Sequence, residues 1–339
     1  MRVLVTGSSG QIGTNLALRL QRDGHEVFGV DKRQNPWTDE FRYVLQDLAG
    51  HYPAYLGGIG GVEYPAVDLV VHLAAHAKVH QLVAEPHRAL ENLVMTFNVL
   101  EYARGLKLPV VYASTREVYG DIHRFEGYGE DTADFAFTES PYSASKIAGE
   151  AFLYAYARCY DLRYLAFRFS NVYGRFDNDL HRMTRVLPLF IHRLSRGEPI
   201  TVYGGREKTL DFTYVDDCVD GIARGVEALA EGRVVDETIN LAYGEGNTLV
   251  RAAELIAAEL DVEPDVALAP SLLGEVTRYV ADIRKAKTLL GWEPATSLDD
   301  GIPKAVAWFR EHRAAHPEQE NAPIAEAAIG WKTLAADPS

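Results

Sequence analysis

The chain is poor in cysteine and in positive charge, and it has no long apolar run. Two cysteines in 339 residues, Cys159 and Cys218, both inside helix-like apolar patterns, make no disulfide framework, and a reducing cytoplasm is the expected compartment. No run reaches the roughly eighteen apolar residues of a membrane helix, so none is predicted. The N-terminus enters a strand and a glycine turn directly, without the regions of a signal peptide. Lys and Arg total 34 against 48 Asp and Glu, a formal charge of −14. Nucleic acid or an anionic membrane would be repelled by most of such a surface, and an anionic ligand needs a local cationic patch. What is present is apolar content, 47% of the chain. That suffices for a full core, either in two domains or in one large α/β unit with an appended lobe. No internal repeat is found.

Gly7-Ser8-Ser9-Gly10-Gln11-Ile12-Gly13 lies between the apolar run Val3-Leu4-Val5 and a stretch in which Ile12, Leu16 and Leu20 recur at i, i+4 and i+8. Glycine accepts positive φ and has no Cβ, so the backbone turns sharply off a strand and comes close to a pyrophosphate, which the start of the next helix stabilises with its unpaired N–H groups. Gly24 stops that helix, and a second strand ends in Asp31, completing a βαβ dinucleotide fingerprint. Gly7, Gly10, Gln11, Ile12 and Gly13 are thus cofactor candidates, with Asp31 on the ribose. A carboxylate there repels a 2′-phosphate and favours NAD over NADP, while Lys32 and Arg33 immediately after it pull the other way.

Strand-like runs at 3–6, 26–30, 68–73, 110–114 and 164–169 alternate with helix-like ones, which predicts a doubly wound parallel (Rossmann) sheet with helices on both faces. The glycine-rich stretch 51–65 reads as a loop or insertion without chemistry. At Asn171-Val172-Tyr173-Gly174 the alternation breaks and Arg175, Arg182 and Arg185 gather, which marks a second lobe. Further strands are expected at 211–215 and 238–241, and helices at 249–260 and 302–309. The division expected is a dinucleotide domain of 1–172 plus about 211–247, and a smaller interleaved C-terminal substrate lobe of 173–210 and 248–316. The tail 317–339 is short of turn and core signals and is read as partly disordered.

The catalytic signal is Tyr142-Ser143-Ala144-Ser145-Lys146. Tyr142 and Lys146, at i and i+4, project from one helix face. A phenol is a poor base at neutral pH, and an ammonium nearby favours the phenolate, so the pair is expected to lower the Tyr142 pKa. Tyr142 then takes a hydroxyl proton while hydride leaves the same carbon. Ligands of open α/β sheets bind beyond the carboxyl ends of the strands, where Ser114 and Thr115 end the run Val110-Val111-Tyr112-Ala113. Those hydroxyls either bridge substrate and tyrosine or cap the turn into 116–120.

Taken together these residues resemble the extended short-chain dehydrogenases, the NAD-dependent nucleotide-sugar epimerase/dehydratase family. The resemblance covers most of the chain: the glycine turn, Asp31, Asp47-Leu48, His72-Leu73-Ala74-Ala75, Asn92, Ser114-Thr115, Tyr142, Lys146, Arg168 to Gly174, and Asp211-Phe212-Thr213-Tyr214-Val215-Asp216-Asp217. It implies that Asp47 and Leu48 lie by the adenine, that the backbone of Leu73, Ala74 and Ala75 passes the cofactor, and that Asn92 and Ser114 border it. It also implies a homodimer, and transient oxidation at C4 of a nucleotide sugar with NAD regenerated.

Members differ in the fate of the keto sugar. Ser114-Thr115-Arg116-Glu117-Val118-Tyr119-Gly120 is similar to the dehydratase and decarboxylase version in carrying Glu117, a carboxylate suited to proton abstraction. Yet Arg116 stands where dehydratases have an aspartic acid. Arg116 either neutralises Glu117, binds a substrate carboxylate, or points to solvent. Leu210 and Leu272 stand where the family often has arginine for the substrate diphosphate or sugar, so Arg185, Arg206, Lys208 and Arg278 are the cations left for it. Asn171 and Tyr203 complete the expected substrate contacts, and no metal is implied. The leading expectation is a 4-epimerase of UDP-hexose or UDP-hexuronate type using Tyr142, Lys146 and Thr115. The runner-up is a 4,6-dehydratase or uronate decarboxylase using Glu117. A reading of another class is an NAD-sensing regulator without turnover.

Overall fold

The computed structural model describes residues 1–50, 54–55, 58–120, 128–133, 138–177, 185–274 and 276–317. Arg182 and nearly all of the 317–339 tail therefore lie outside the described residues. The chain begins β1 (Arg2–Thr6), α1 (Gln11–Arg22), β2 (Glu26–Asp31) and β3 (Arg42–Leu45). Within the 51–65 stretch three two-residue strands, β4 (Ala54–Tyr55), β5 (Gly58–Ile59) and β6 (Val62–Glu63), form a small antiparallel sheet. Then come β7 (Leu69–His72), α2 (Val79–Ala84), α3 (His87–Leu106), β8 (Val110–Thr115), α4 (Pro141–Tyr160) and β9 (Tyr164–Phe169). The remainder runs β10 (Asn171–Tyr173), α5 (Val186–Leu194), β11 (Ile200–Tyr203), β12 (Thr209–Tyr214), α6 (Val215–Ala230), β13 (Glu237–Leu241), β14 (Gly246–Thr248), α7 (Leu249–Leu260), β15 (Val266–Ala269), α8 (Arg284–Leu290) and α9 (Leu298–Ala315).

Seven strands make one sheet in the order β13-β9-β8-β7-β1-β2-β3, every pair parallel. Successive side chains of a strand face opposite ways, so the two faces can be read directly. Val3, Val5, Val71, Val111 and Phe167 pack with α1 and α6 on one side. Leu4, Val70, Val110, Tyr112 and Ala166 pack with α3 and α4 on the other. Helices on both faces of a parallel sheet are the doubly wound architecture. The expected strands and the α7 and α9 helices fall on observed elements, and α9 starts earlier than residue 302 because the Ser297 hydroxyl caps it by accepting from Asp300 N.

A second core holds Tyr173, Phe190, Val202, Leu210, Phe212, Tyr214, Ile256 and Phe309 from α5, α7, α9 and the short sheets β10-β12-β14 and β11-β15. The side chains of β12 belong to this core and those of α6 to the first, so the chain crosses between them at Tyr214–Val215. Both cysteines are free thiols, Cys218 buried and Cys159 exposed. Among the described residues no helix is long and apolar enough to cross a membrane, and no three potential metal ligands cluster.

Candidate active site

A cavity of about 600 Å³ runs from the glycine turn, past the ends of the central strands, to the second core. Gly7 has φ +72 and its N–H donates to Val30 O at 2.8 Å, folding the turn over the end of β2. A Cβ on Gly7 would meet Ala74 N at 2.7 Å, and one on Gly13 would meet Gly7 O at 2.1 Å. Only glycine fits either place. Gly10 caps α1 without any side-chain hydrogen bond, so the first N–H groups of that helix remain available to an anion. The Asp31 carboxylate accepts from Ser9 N and Arg33 N, each at 3.0 Å, and borders the same cavity. A Cβ-free cradle, an uncapped helix start and a carboxylate at the strand end fit a dinucleotide. Gln11, Ile12, Asp47, Leu48, Leu73, Ala74 and Ala75 all line the cavity.

Asn92 does not. It sits behind the wall, accepting from His76 N at 2.7 Å and donating to His76 O at 3.0 Å and to Ser145 Oγ at 3.2 Å. It thereby holds the backbone of His76, which follows the cavity-lining Ala74 and Ala75.

Tyr142 and Lys146 are presented by α4, which starts cleanly because Pro141 fits its first turn and Ser140 and Ser143 form a reciprocal cap. Three residues of one α4 face, at i, i+4 and i+8, meet three consecutive residues at the end of β8. The Tyr142 phenol hydrogen-bonds the Thr115 side chain. Lys146 Nζ donates to Ala113 O at 2.7 Å and lies 4.9 Å from the Tyr112 ring centre. Glu150 accepts from Ser114 Oγ at 2.5 Å and is clasped at both oxygens by Arg168. A Cβ on Gly149 would lie 2.1 Å from the Tyr112 hydroxyl, so glycine there lets helix and strand approach this closely.

The expected fall in the Tyr142 pKa is not what the protein alone gives. Burial pushes the phenol up to about 12, with the Glu117 charge adding to the rise, while the Thr115 hydrogen bond and the charges of Arg185 and Arg116 pull it back. Burial also lowers Lys146 to about 7, partly opposed by Glu150. Desolvation of both groups outweighs the helical spacing, and the ammonium's hydrogen bond goes to the strand.

Arg116 and Glu117 follow Thr115 in a buried 3₁₀ turn and pair through Nη2 and Oε1 at 2.8 Å, both facing the cavity. Asn171, Arg185 and Tyr203 line the cavity as well. Arg185 hydrogen-bonds Gln11 Oε1 and pairs with Asp177 at 3.0 Å, tying the glycine turn to the second lobe. Arg206 and Arg278 are exposed and outside the cavity wall, whereas Lys208 is buried and in it, as are Leu210 and Leu272. Sequence reasoning missed Lys78 and Asp177. Both are buried cavity residues, and burial raises the Asp177 carboxyl to about 7.

A family profile described as the NAD dependent epimerase/dehydratase family matches residues 3–242, and the chain belongs to that family of enzymes. It is 32% identical to a UDP-glucose 4-epimerase of Mycolicibacterium smegmatis over 91% of this chain and 99% of that one. It is 32% identical to UDP-glucuronic acid decarboxylase 1 of Danio rerio over 92% of this chain and 74% of that one. The crystal structure of UDP-glucose 4-epimerase from Thermotoga maritima with UDP-glucose superposes with a TM-score of 0.81 at 28% identity, covering 92% of this chain and 99% of that one.

Two outcomes are expected. Gly13→Ala forces the turn open, and NAD affinity measured by calorimetry falls by about tenfold or more; unchanged affinity would remove the cradle assignment. Lys146 is charged in both folded and unfolded chains below about pH 7, so its burial penalty is complete there; the penalty fades as pH rises from about 7 towards the unfolded value of 10.5. Lys146→Met therefore stabilises most below about pH 7 and progressively less towards about pH 10, in denaturant titrations of both proteins. A difference independent of pH would contradict a buried, titrating lysine.

Proposed function

We propose that this protein is an NAD-dependent nucleotide-sugar 4-epimerase of UDP-hexose or UDP-hexuronate type. The observation that carries the reading is the seating of Tyr142 on Thr115 and of Lys146 on Ala113 in one cavity that continues into the glycine turn. NAD when bound supplies the hydride acceptor and, oxidised, a positively charged ring that favours a phenolate nearby. Thr115 orients the sugar 4-hydroxyl, and Tyr142 takes its proton as hydride leaves C4. The 4-keto sugar turns over within the cavity, hydride returns to the opposite face, and Tyr142 gives the proton back. Lys146 carries its amine beside the phenol and cofactor, with burial lowering its pKa to about 7 and Glu150 partly opposing that fall. Of the four cations the sequence offered for the diphosphate, Lys208 and Arg185 line the cavity and are the ones proposed for it.

Glu117 in the cavity wall supports a second reading, decarboxylation or dehydration of the keto sugar, in line with the decarboxylase relative. A regulator that only senses NAD is the third. Carbon and proton NMR of NAD-loaded protein in deuterated water, with UDP-glucose and UDP-glucuronate, separates them. Inversion at C4 without label at C5 is expected, and Tyr142→Phe lowers kcat by roughly 10²–10⁴ with NAD retained. Release of carbon dioxide or water would replace epimerisation by the second reading, and no turnover with NAD held would favour the sensor.

The protein is proposed to work in the cytoplasm as a homodimer. Supporting the dimer, α3 and α4 pack side by side and expose Leu90, Phe97 and Tyr154, the first two on one helix face at i and i+7. Light scattering is expected to give twice the chain mass, and Phe97→Glu to lower it towards the monomer. A wild-type monomer at micromolar concentration would end this assignment.

A further inference from the structure

We infer that the sugar carried to Tyr142 bears a carboxylate at C6 and that Arg116 is the residue that selects it. The inference rests on the reading of the site as one that oxidises a sugar at C4. Arg116 is 8% exposed, so its guanidinium is almost wholly withdrawn from water. Glu117 takes one edge, Nη2, at 2.8 Å. The other terminal nitrogen, Nη1, is buried and has no hydrogen-bond partner among the described residues. The guanidinium lies 5.9 Å from the Tyr279 ring centre, a further contact that fixes where it sits. A buried N–H donor left unsatisfied costs about 1–3 kcal/mol, more when charged, and folded proteins retain few of them. The Arg116 side chain borders the ligand cavity, so a ligand group is a further partner within its reach.

The chemistry of that ligand group follows from position. Arg116 directly follows Thr115, whose side chain bonds the Tyr142 phenol, and its charge acts on that phenol and on Asp211. It therefore stands beside the carbon being oxidised, C4. In a hexopyranose C4 lies across the ring from C1, which carries the diphosphate, so the diphosphate is the wrong anion for this guanidinium. The neighbours of C4 are C3, with a hydroxyl, and C5, which bears C6. A neutral hydroxymethyl at C6 would offer the guanidinium only a weak second partner beside Glu117. A carboxylate gives the guanidinium a second charge-assisted partner beside Glu117. The short 3₁₀ turn, held by Glu117 N donating to Thr115 Oγ1 at 3.3 Å, keeps the base's partner and the clasp in one rigid unit.

The test compares UDP-glucuronate with UDP-glucose on the NAD-loaded enzyme, by dissociation constant and by kcat/KM. The wild type is expected to prefer the uronate by at least about tenfold, and Arg116→Gln to lower the uronate-to-hexose ratio by roughly thirtyfold or more, with Arg116→Lys between them. A wild type that prefers the neutral sugar, or an Arg116→Gln that weakens both sugars in equal proportion, overturns the inference. Uronate preference in binding that depends on Arg116, without turnover of any sugar, would uphold the carboxylate clasp while removing the epimerase reading. Should Arg116→Gln fail to fold, the wild-type preference alone decides.

Discussion

The candidate active site depends on how one face of α4 meets the end of β8. Tyr142, Lys146 and Glu150, spaced by four residues, engage Thr115, Ala113 and Ser114, which follow one another along the strand end. A helix rises 1.5 Å per residue and a strand about twice that, so such a match holds only where the two come close and in one relative register. Gly149 permits the closeness by leaving room for the Tyr112 ring. Arg168 on the neighbouring strand β9 grips Glu150 from behind and donates to Tyr119 OH at 3.0 Å. This seating of α4 on the strand end is thus tied to sheet order, since β8 and β9 must be adjacent for Arg168 to reach.

Electrostatics at the site runs against the rest of the molecule. A chain with formal charge −14 places Lys78, Arg116, Lys146, Arg185 and Lys208 in the wall of one cavity, where anionic ligands meet a cationic interior. Burial drives Tyr142 up and Lys146 down, so the protein alone holds a neutral phenol beside an amine close to losing its proton. Charges brought by ligands then have the largest effect, because little water screens them.

Much of this was legible in the chain. The glycine turn, the strand ends and the Tyr142–Lys146 spacing use local rules, φ above zero, alternation and helical repeat, that neighbouring residues satisfy by themselves. Six strands of the central sheet were visible for the same reason, as largely apolar runs buried in the sheet, whereas the edge strand β3, partly exposed, was not. Short strands such as β10, β11, β14 and β15 were not, since three or four residues carry too little pattern and owe their form to pairing with distant partners. Which of the four offered cations face the cavity was not legible, because neighbours on a strand and turn point different ways: Lys208, two residues from the exposed Arg206, is turned inward.

By itself, then, the sequence determined the class of site, because a dinucleotide cradle and a tyrosine–lysine pair are built from backbone freedom and short-range spacing. Tertiary structure decided which charges face the ligand, where Asn92 acts, and what Lys146 is bonded to. Those follow from burial and from contacts between residues tens or hundreds of positions apart, such as Arg185 with Gln11. A side chain's proton affinity is set by the water it loses on packing, and no spacing rule carries that quantity.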